Sequence, residues 1–184
     1  MLITSNNAVL VMIDLQKRLM PAIAEGQLVI EQCVRLGQAA QLLHVPIIGT
    51  EQNPASLGDN LPEIKALCQT TISKTYFDAC HDGLLIELGK FKPARQQIIL
   101  VGCESNVCVL QTVFGLIANQ YQVTIVIDAL GSRHPLDKEI AIARMEQAGA
   151  KLVTSEMLIF EWLQTSNRPE FKSCLLYTSP SPRD

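Results

Sequence analysis

The sequence is short of histidine, of aromatic residues and of clustered positive charge. Its 3 histidines stand far apart at His44, His81 and His134, so no stretch offers a histidine-based metal site. Lys and Arg number 15 against 18 Asp and Glu, and the basic residues are scattered. Nothing in that balance suggests nucleic acid or an anionic membrane surface as a partner. No apolar stretch is long enough to cross a bilayer. The N-terminus enters a strand-like run without a basic region, apolar segment and cleavage site. There are 6 cysteines, yet none forms Cys-x-x-Cys. This disfavours disulfide frameworks and zinc ribbons, and points to reduced thiols in a cytoplasmic protein. Internal repeats and linkers are also lacking, so the 184 residues are expected to form one domain around one core.

What is present is a regular alternation. Apolar runs at Ala8–Ile13, Pro46–Thr50, Thr70–Ser73, Ile98–Val101, Val123–Ile127 and Lys151–Thr154 read as strands. Helical periodicity lies between and after them, at Gln27–Leu43, Leu61–Cys68, Gly83–Leu88, Val107–Ala118, Pro135–Ala148 and Met157–Leu163. Pro135 sits at a first helical position and Gly149 just past the end of the same helix. Glu51 to Asp59 is loop-like in composition. The pattern predicts an α/β fold: a doubly wound, mostly parallel six-stranded sheet in the order 3-2-1-4-5-6, with helices on both faces. From Cys174 the pattern breaks off and ends in a Ser/Pro tract. The domain is therefore expected to span residues 1–173, with 174–184 a non-native or disordered tail.

One stretch carries the chemistry, Ile98-Ile-Leu-Val-Gly-Cys-Glu-Ser-Asn-Val-Cys-Val-Leu-Gln-Thr112. It reads as buried strand, tight turn and helix, with Ser105 and Asn106 suited to cap the helix. Cys108 then falls in the first helical turn, where the helix dipole and unpaired N–H groups favour a nucleophilic thiolate of lowered pKa. The same spacing equally fits a small apolar residue packing helix against sheet. Ligands of open α/β sheets sit beyond the carboxyl ends of strands where strand order reverses. Asp14 ends strand one, Lys74 ends strand three and Cys108 follows strand four. In the expected order, strands one and four are neighbours, and strand three is roughly 10 Å from strand one, within reach of an extended lysine. Asp14 can take the thiol proton, Lys74 can steady the thiolate and the carboxylate, and turn N–H groups can receive an oxyanion.

Several segments together resemble the isochorismatase-like cysteine hydrolase superfamily. They are Val11-Met-Ile-Asp-Leu-Gln16, Thr50-Glu-Gln-Asn-Pro54, Lys74-Thr-Tyr-Phe-Asp-Ala79, the Val101–Thr112 turn, Asp128-Ala-Leu-Gly-Ser-Arg133 and Thr154-Ser-Glu-Met157. The resemblance implies Asp14, Lys74 and Cys108 as acid, lysine and nucleophile. It implies a non-proline cis peptide at Cys103–Glu104, with the N–H groups of Glu104 and Cys108 as oxyanion donors. It makes Cys103 a bystander and implies a homo-oligomer. Nicotinamidases of the superfamily hold a metal with an aspartate and histidines after strand two. Here Glu51-Gln-Asn-Pro stands there, so no metal and no cofactor are expected. True isochorismatases cleave a vinyl ether without a cysteine, and Cys108 argues against that reaction.

The expected protein is thus a metal-independent cysteine hydrolase. Its substrate would be a small molecule with an amide or related C–N bond, cleaved through a thioester, with Glu51 and Gln52 lining the pocket. The alternatives are a non-enzymatic α/β module with a redox-responsive cysteine and a vinyl-ether hydrolase of the isochorismatase type.

Overall fold

A computed structural model of the chain describes residues 1–178. Six strands form a single sheet: β1 (Ala8–Ile13), β2 (Ile47–Gln52), β3 (Thr70–Lys74), β4 (Gln97–Cys103), β5 (Gln122–Gly131) and β6 (Lys151–Val153). Their order is β3-β2-β1-β4-β5-β6, and every pairing is parallel. The helices are α1 (Gly26–Leu42), α2 (Pro54–Leu57), α3 (Pro62–Lys65), α4 (Leu84–Leu88), α5 (Leu110–Ala118), α6 (Pro135–Gln147), α7 (Ser155–Leu163) and α8 (Phe171–Leu175).

The central strands β1 and β4 are buried on both faces, which is why their runs are continuously apolar, whereas the edge strand β3 is more polar and only partly buried. Successive side chains of β1 alternate between two cores. Ala8, Leu10 and Met12 meet Cys33, Leu36 and Ala40 of α1 and Trp162 of α7. Val9, Val11 and Ile13 meet Leu84 of α4, Val113 of α5 and Met145 of α6. The chain winds outward from β1 on one face and from β4 on the other, so strand order reverses between them. Their carboxyl ends lie side by side, with Ile13 opposite Gly102.

Gly102 is the close contact at that point. Its φ is +110°, and a Cβ there would lie 2.1 Å from the Ile13 carbonyl oxygen. The strand therefore runs through Gly102 to Cys103 rather than stopping at Val101. Strand β2 is also longer than its composition suggests. Pairing with β3 carries it through Glu51 and Gln52, opposite Ser73 and Lys74. The helix expected over Leu61–Cys68 shortens to a single turn, α3. A tail boundary at residue 174 cuts α8, whose Cys174 is fully buried in the core. The rest of the Ser/Pro tract, residues 179–184, lies outside the described residues. Among the described residues no helix is long and apolar enough to cross a membrane.

Candidate active site

The site forms where β1, β2, β3 and β4 end. Asp14 follows β1 with φ 50°, a left-handed conformation that aspartate tolerates better than most residues. Its N–H donates to the Thr50 carbonyl at 3.3 Å. Its carboxylate is fully buried and accepts from Thr50 Oγ1 at 2.6 Å and from Lys74 Nζ at 2.8 Å. Lys74 is buried too, and its ammonium also donates to Gln52 Oε1 at 2.6 Å. The carbonyls of Phe77 and Tyr76 lie farther away, at 3.3 and 3.5 Å. A buried charge is tolerable only when paired and hydrogen-bonded, and this pair meets both conditions.

Cys108 is 6% exposed and faces the core side shared by α4, α5 and α6. Its Sγ lies 4.0 Å from Gln52 Oε1. It sits in a π-helical turn, Ser105–Val109, closed by Val109 N–H donating to the Glu104 carbonyl at 3.1 Å, before α5 begins. The structure corrects the expected thiolate. Burial pushes the Cys108 thiol up to about 12, the Asp14 carboxylate adds to that, and Lys74 opposes it. Desolvation and the neighbouring carboxylate both work against the thiolate at this position.

The turn before Cys108 is tied down from β5. The Cys103–Glu104 peptide is cis. The Glu104 carboxylate is mostly buried and accepts from Arg133 N–H at 3.1 Å and Arg133 Nε at 3.0 Å. Ser105 and Asn106 do not cap a helix. Ser105 Oγ donates to the Gly131 carbonyl at 2.9 Å, and Asn106 Oδ1 accepts from Ser132 Oγ at 2.9 Å. Asp128 accepts from Ser155 N–H at 2.9 Å and so anchors the start of α7. Thr112 Oγ1 accepts from Ala79 N–H at 3.1 Å, joining α5 to the segment after β3.

Cys103 points to the opposite face, into the core with α1, and burial raises its thiol pKa. Glu51 and Gln52 are parted by strand alternation. Gln52 faces Lys74 and Cys108, whereas the buried Glu51 carboxylate accepts from Asn60 N–H at 2.8 Å. The expectation that Glu51 lines the pocket is therefore corrected. The fold also brings Thr50 and Gln16 to this site, which local sequence pattern does not single out. Both lie in the segments that carry the resemblance, and Thr50 shares strand parity with Gln52. Gln16 is fully buried and brackets Gln52, accepting from its N–H at 2.8 Å and donating to its carbonyl at 3.0 Å. A surface cavity of about 380 Å³ opens beyond the β3 end, lined by Tyr76, Asp78, His81, Gln111, Phe114 and Arg144. Among the described residues no three His, Cys, Asp or Glu side chains are grouped as a metal site requires.

This is a doubly wound α/β domain that brings a thiol, a carboxylate and an ammonium to the point where its strand order reverses. The isochorismatase domain family matches residues 8–157, and the chain belongs to the isochorismatase family, whose character is hydrolytic. It is 37% identical over 170 residues to isochorismatase domain-containing protein 2A of Mus musculus, covering 92% of this chain and 82% of that one. Among solved structures it resembles the MAR1 ribonuclease of Caenorhabditis elegans, with TM-score 0.91 and 36% identity over 100% of this chain and 95% of the other. The YcaC gene product of Escherichia coli, described as an octameric hydrolase of unknown specificity, shares the fold. Its TM-score is 0.86 at 24% identity over 95% and 87% of the two chains.

Proposed function

We propose that the chain is a metal-independent cysteine hydrolase of small amides or related C–N bonds, working through a thioester. The observation that carries this reading is the fully buried Lys74–Asp14 pair at 2.8 Å, beside a buried thiol. A structural role alone gives no reason to desolvate two charges next to a nucleophile.

Asp14 accepts the Cys108 proton as Sγ attacks the substrate carbonyl carbon. Burial and the Asp14 carboxylate hold the thiol pKa up, so proton transfer to Asp14 accompanies the attack. The N–H groups of Glu104 and Cys108 receive the oxyanion. Collapse breaks the C–N bond, and Asp14 hands its proton to the departing amine. Water then attacks the thioester, gives one proton to Asp14 and releases the acid, and the sulfur regains its proton. Lys74 keeps the Asp14 carboxylate oriented and offsets its charge. No histidine enters this scheme, and the segment after β2 offers none as a metal ligand.

Six free thiols support a reducing, cytoplasmic setting. The octameric YcaC neighbour supports a homo-oligomer. The ribonuclease named among the relatives raises RNA as the competing substrate. The net charge of -3 and the enclosed, nearly inaccessible sulfur favour a small molecule.

The deciding experiment is a panel of small amides, ureides and carbamoyl compounds assayed for ammonia, with and without a chelator, and with an RNA arm. Ammonia release that survives chelation and vanishes in Cys108→Ala is expected. Cys108-dependent RNA cleavage without any amide turnover would overturn the reading.

A further inference from the structure

We infer that Gln52 is a positioning residue for the proposed reaction: its carboxamide holds Lys74 between Asp14 and Cys108 without adding charge to the site. The inference deepens the cysteine-hydrolase reading and rests on it.

A buried ammonium has three protons and needs an acceptor for each. Lys74 finds one in Asp14 Oδ2 at 2.8 Å. Gln52 Oε1, at 2.6 Å, is the shorter contact. The remaining acceptors are the backbone carbonyls of Phe77 and Tyr76 at 3.3 and 3.5 Å. Gln52 therefore fixes the direction of the ammonium as firmly as its counter-ion does.

The carboxamide itself has one orientation. Its Nε2 donates to the Thr75 carbonyl at 2.8 Å while Oε1 accepts from Lys74. Flipping it would aim its NH₂ at the ammonium and its oxygen at a carbonyl. The Gln52 backbone is held as well, since the Gln16 side chain bonds both its N–H and its carbonyl. A residue locked at main chain and side chain, and almost wholly buried, is built to present one oxygen in one place.

That oxygen faces two groups, Lys74 at 2.6 Å and Cys108 Sγ at 4.0 Å. Its neutrality matters. Asp14 and Lys74 balance each other, so a second carboxylate here would leave net negative charge beside the sulfur and oppose thiolate formation. A side chain without an acceptor would free one Lys74 N–H to turn toward the sulfur, whose charged form Lys74 favours. Substitutions of the two kinds should move the thiol in opposite directions, which a packing role alone would not do.

The test is the pH profile of iodoacetamide labelling at Cys108, followed by mass spectrometry on the full chain, in wild type, Gln52→Glu and Gln52→Met. Gln52→Glu keeps the shape and should move the profile to higher pH, slowing labelling at a fixed pH by about tenfold or more. Gln52→Met should move it to lower pH. Profiles that coincide with wild type, or shifts of the same sign, would overturn the inference. Where Gln52→Met does not fold, as judged by its thermal melt, the near-isosteric Gln52→Glu decides alone, and an unchanged profile overturns it. Labelling needs no substrate. A split in the profiles without amide turnover would support the role of Gln52 and remove the amide reading.

Discussion

Lys74 reaches past β2 to set its ammonium 2.8 Å from the Asp14 carboxylate, and neither side chain is exposed to solvent. The pair joins the third and first strands of the sheet at the edge where the chain reverses its winding. It gives the site both its charge balance and its rigidity, and the testable consequences begin with it.

Removing one partner of a buried pair leaves the other charged and unsatisfied. Lys74→Met should cost about 3–5 kcal/mol in urea unfolding. Asp14→Asn added to it removes the stranded charge, so the double variant should be more stable than Lys74→Met alone. A double variant as unstable as the sum of both singles would mean that the two residues are not coupled.

Turnover on an amide substrate should depend on the thiol and the carboxylate as a unit. Cys108→Ala should abolish it and leave binding largely intact. Cys108→Ser should be nearly inactive, because aspartate is too weak a base for a hydroxyl. Asp14→Asn should lower kcat strongly and KM little. Cys108→Ala/Asp14→Asn should be about as slow as Cys108→Ala. Additive losses in log kcat across the double-mutant cycle would separate Asp14 from the chemistry of Cys108.

Gly102→Ala should be among the more damaging single methyl additions in the chain. The φ of +110° disfavours any side chain, and the Ile13 carbonyl oxygen blocks the Cβ at 2.1 Å. A loss of about 2–4 kcal/mol is expected in a denaturant titration. The β1–β4 junction should loosen with it, so labelling of Cys108 should speed up. Unaltered stability would show that the two strand ends can part freely.

Alkaline pH should unfold this protein sooner than its size suggests. All six thiols have raised pKa values in the folded state, with Cys68 and Cys108 at about 12. A folded pKa above the unfolded one means that the folded state keeps protons which the unfolded chain releases. The stability so gained is complete below the unfolded thiol pKa, near 9, and is lost as pH rises from there toward 12. The Tm should fall across that window, and more gently in Cys33→Ala, which lacks one of the most buried thiols. Lysine deprotonation in the same range is common to both proteins, so identical slopes would dismiss the thiol contribution.

The sequence alone determined the architecture. Strand runs alternating with amphipathic helices imply a parallel sheet covered on both faces, and the observed order is one of the few such a winding allows. It also placed Asp14 and Lys74 at the ends of strands and Cys108 in the turn after one, although β2 and β4 run past the points where their apolar runs stop. What it could not show is how those groups feel one another. The direction of the Cys108 pKa shift depends on burial and on Asp14, contributed by segments distant in sequence, and local helix position pointed the wrong way. Ser105 and Asn106 have the chemistry of caps, yet the nearby end of β5 takes their hydrogen bonds.

Glu51 and Gln52 show where local information ends. As loop residues the two are interchangeable. Once β3 extends β2 by two residues, each is committed to one face of the sheet, Glu51 to Asn60 and Gln52 to Lys74. That extension is made by hydrogen bonds from another strand and from the Gln16 carboxamide. Only the assembled sheet decides it, because the alternation that sorts the two side chains exists only once the backbone is paired.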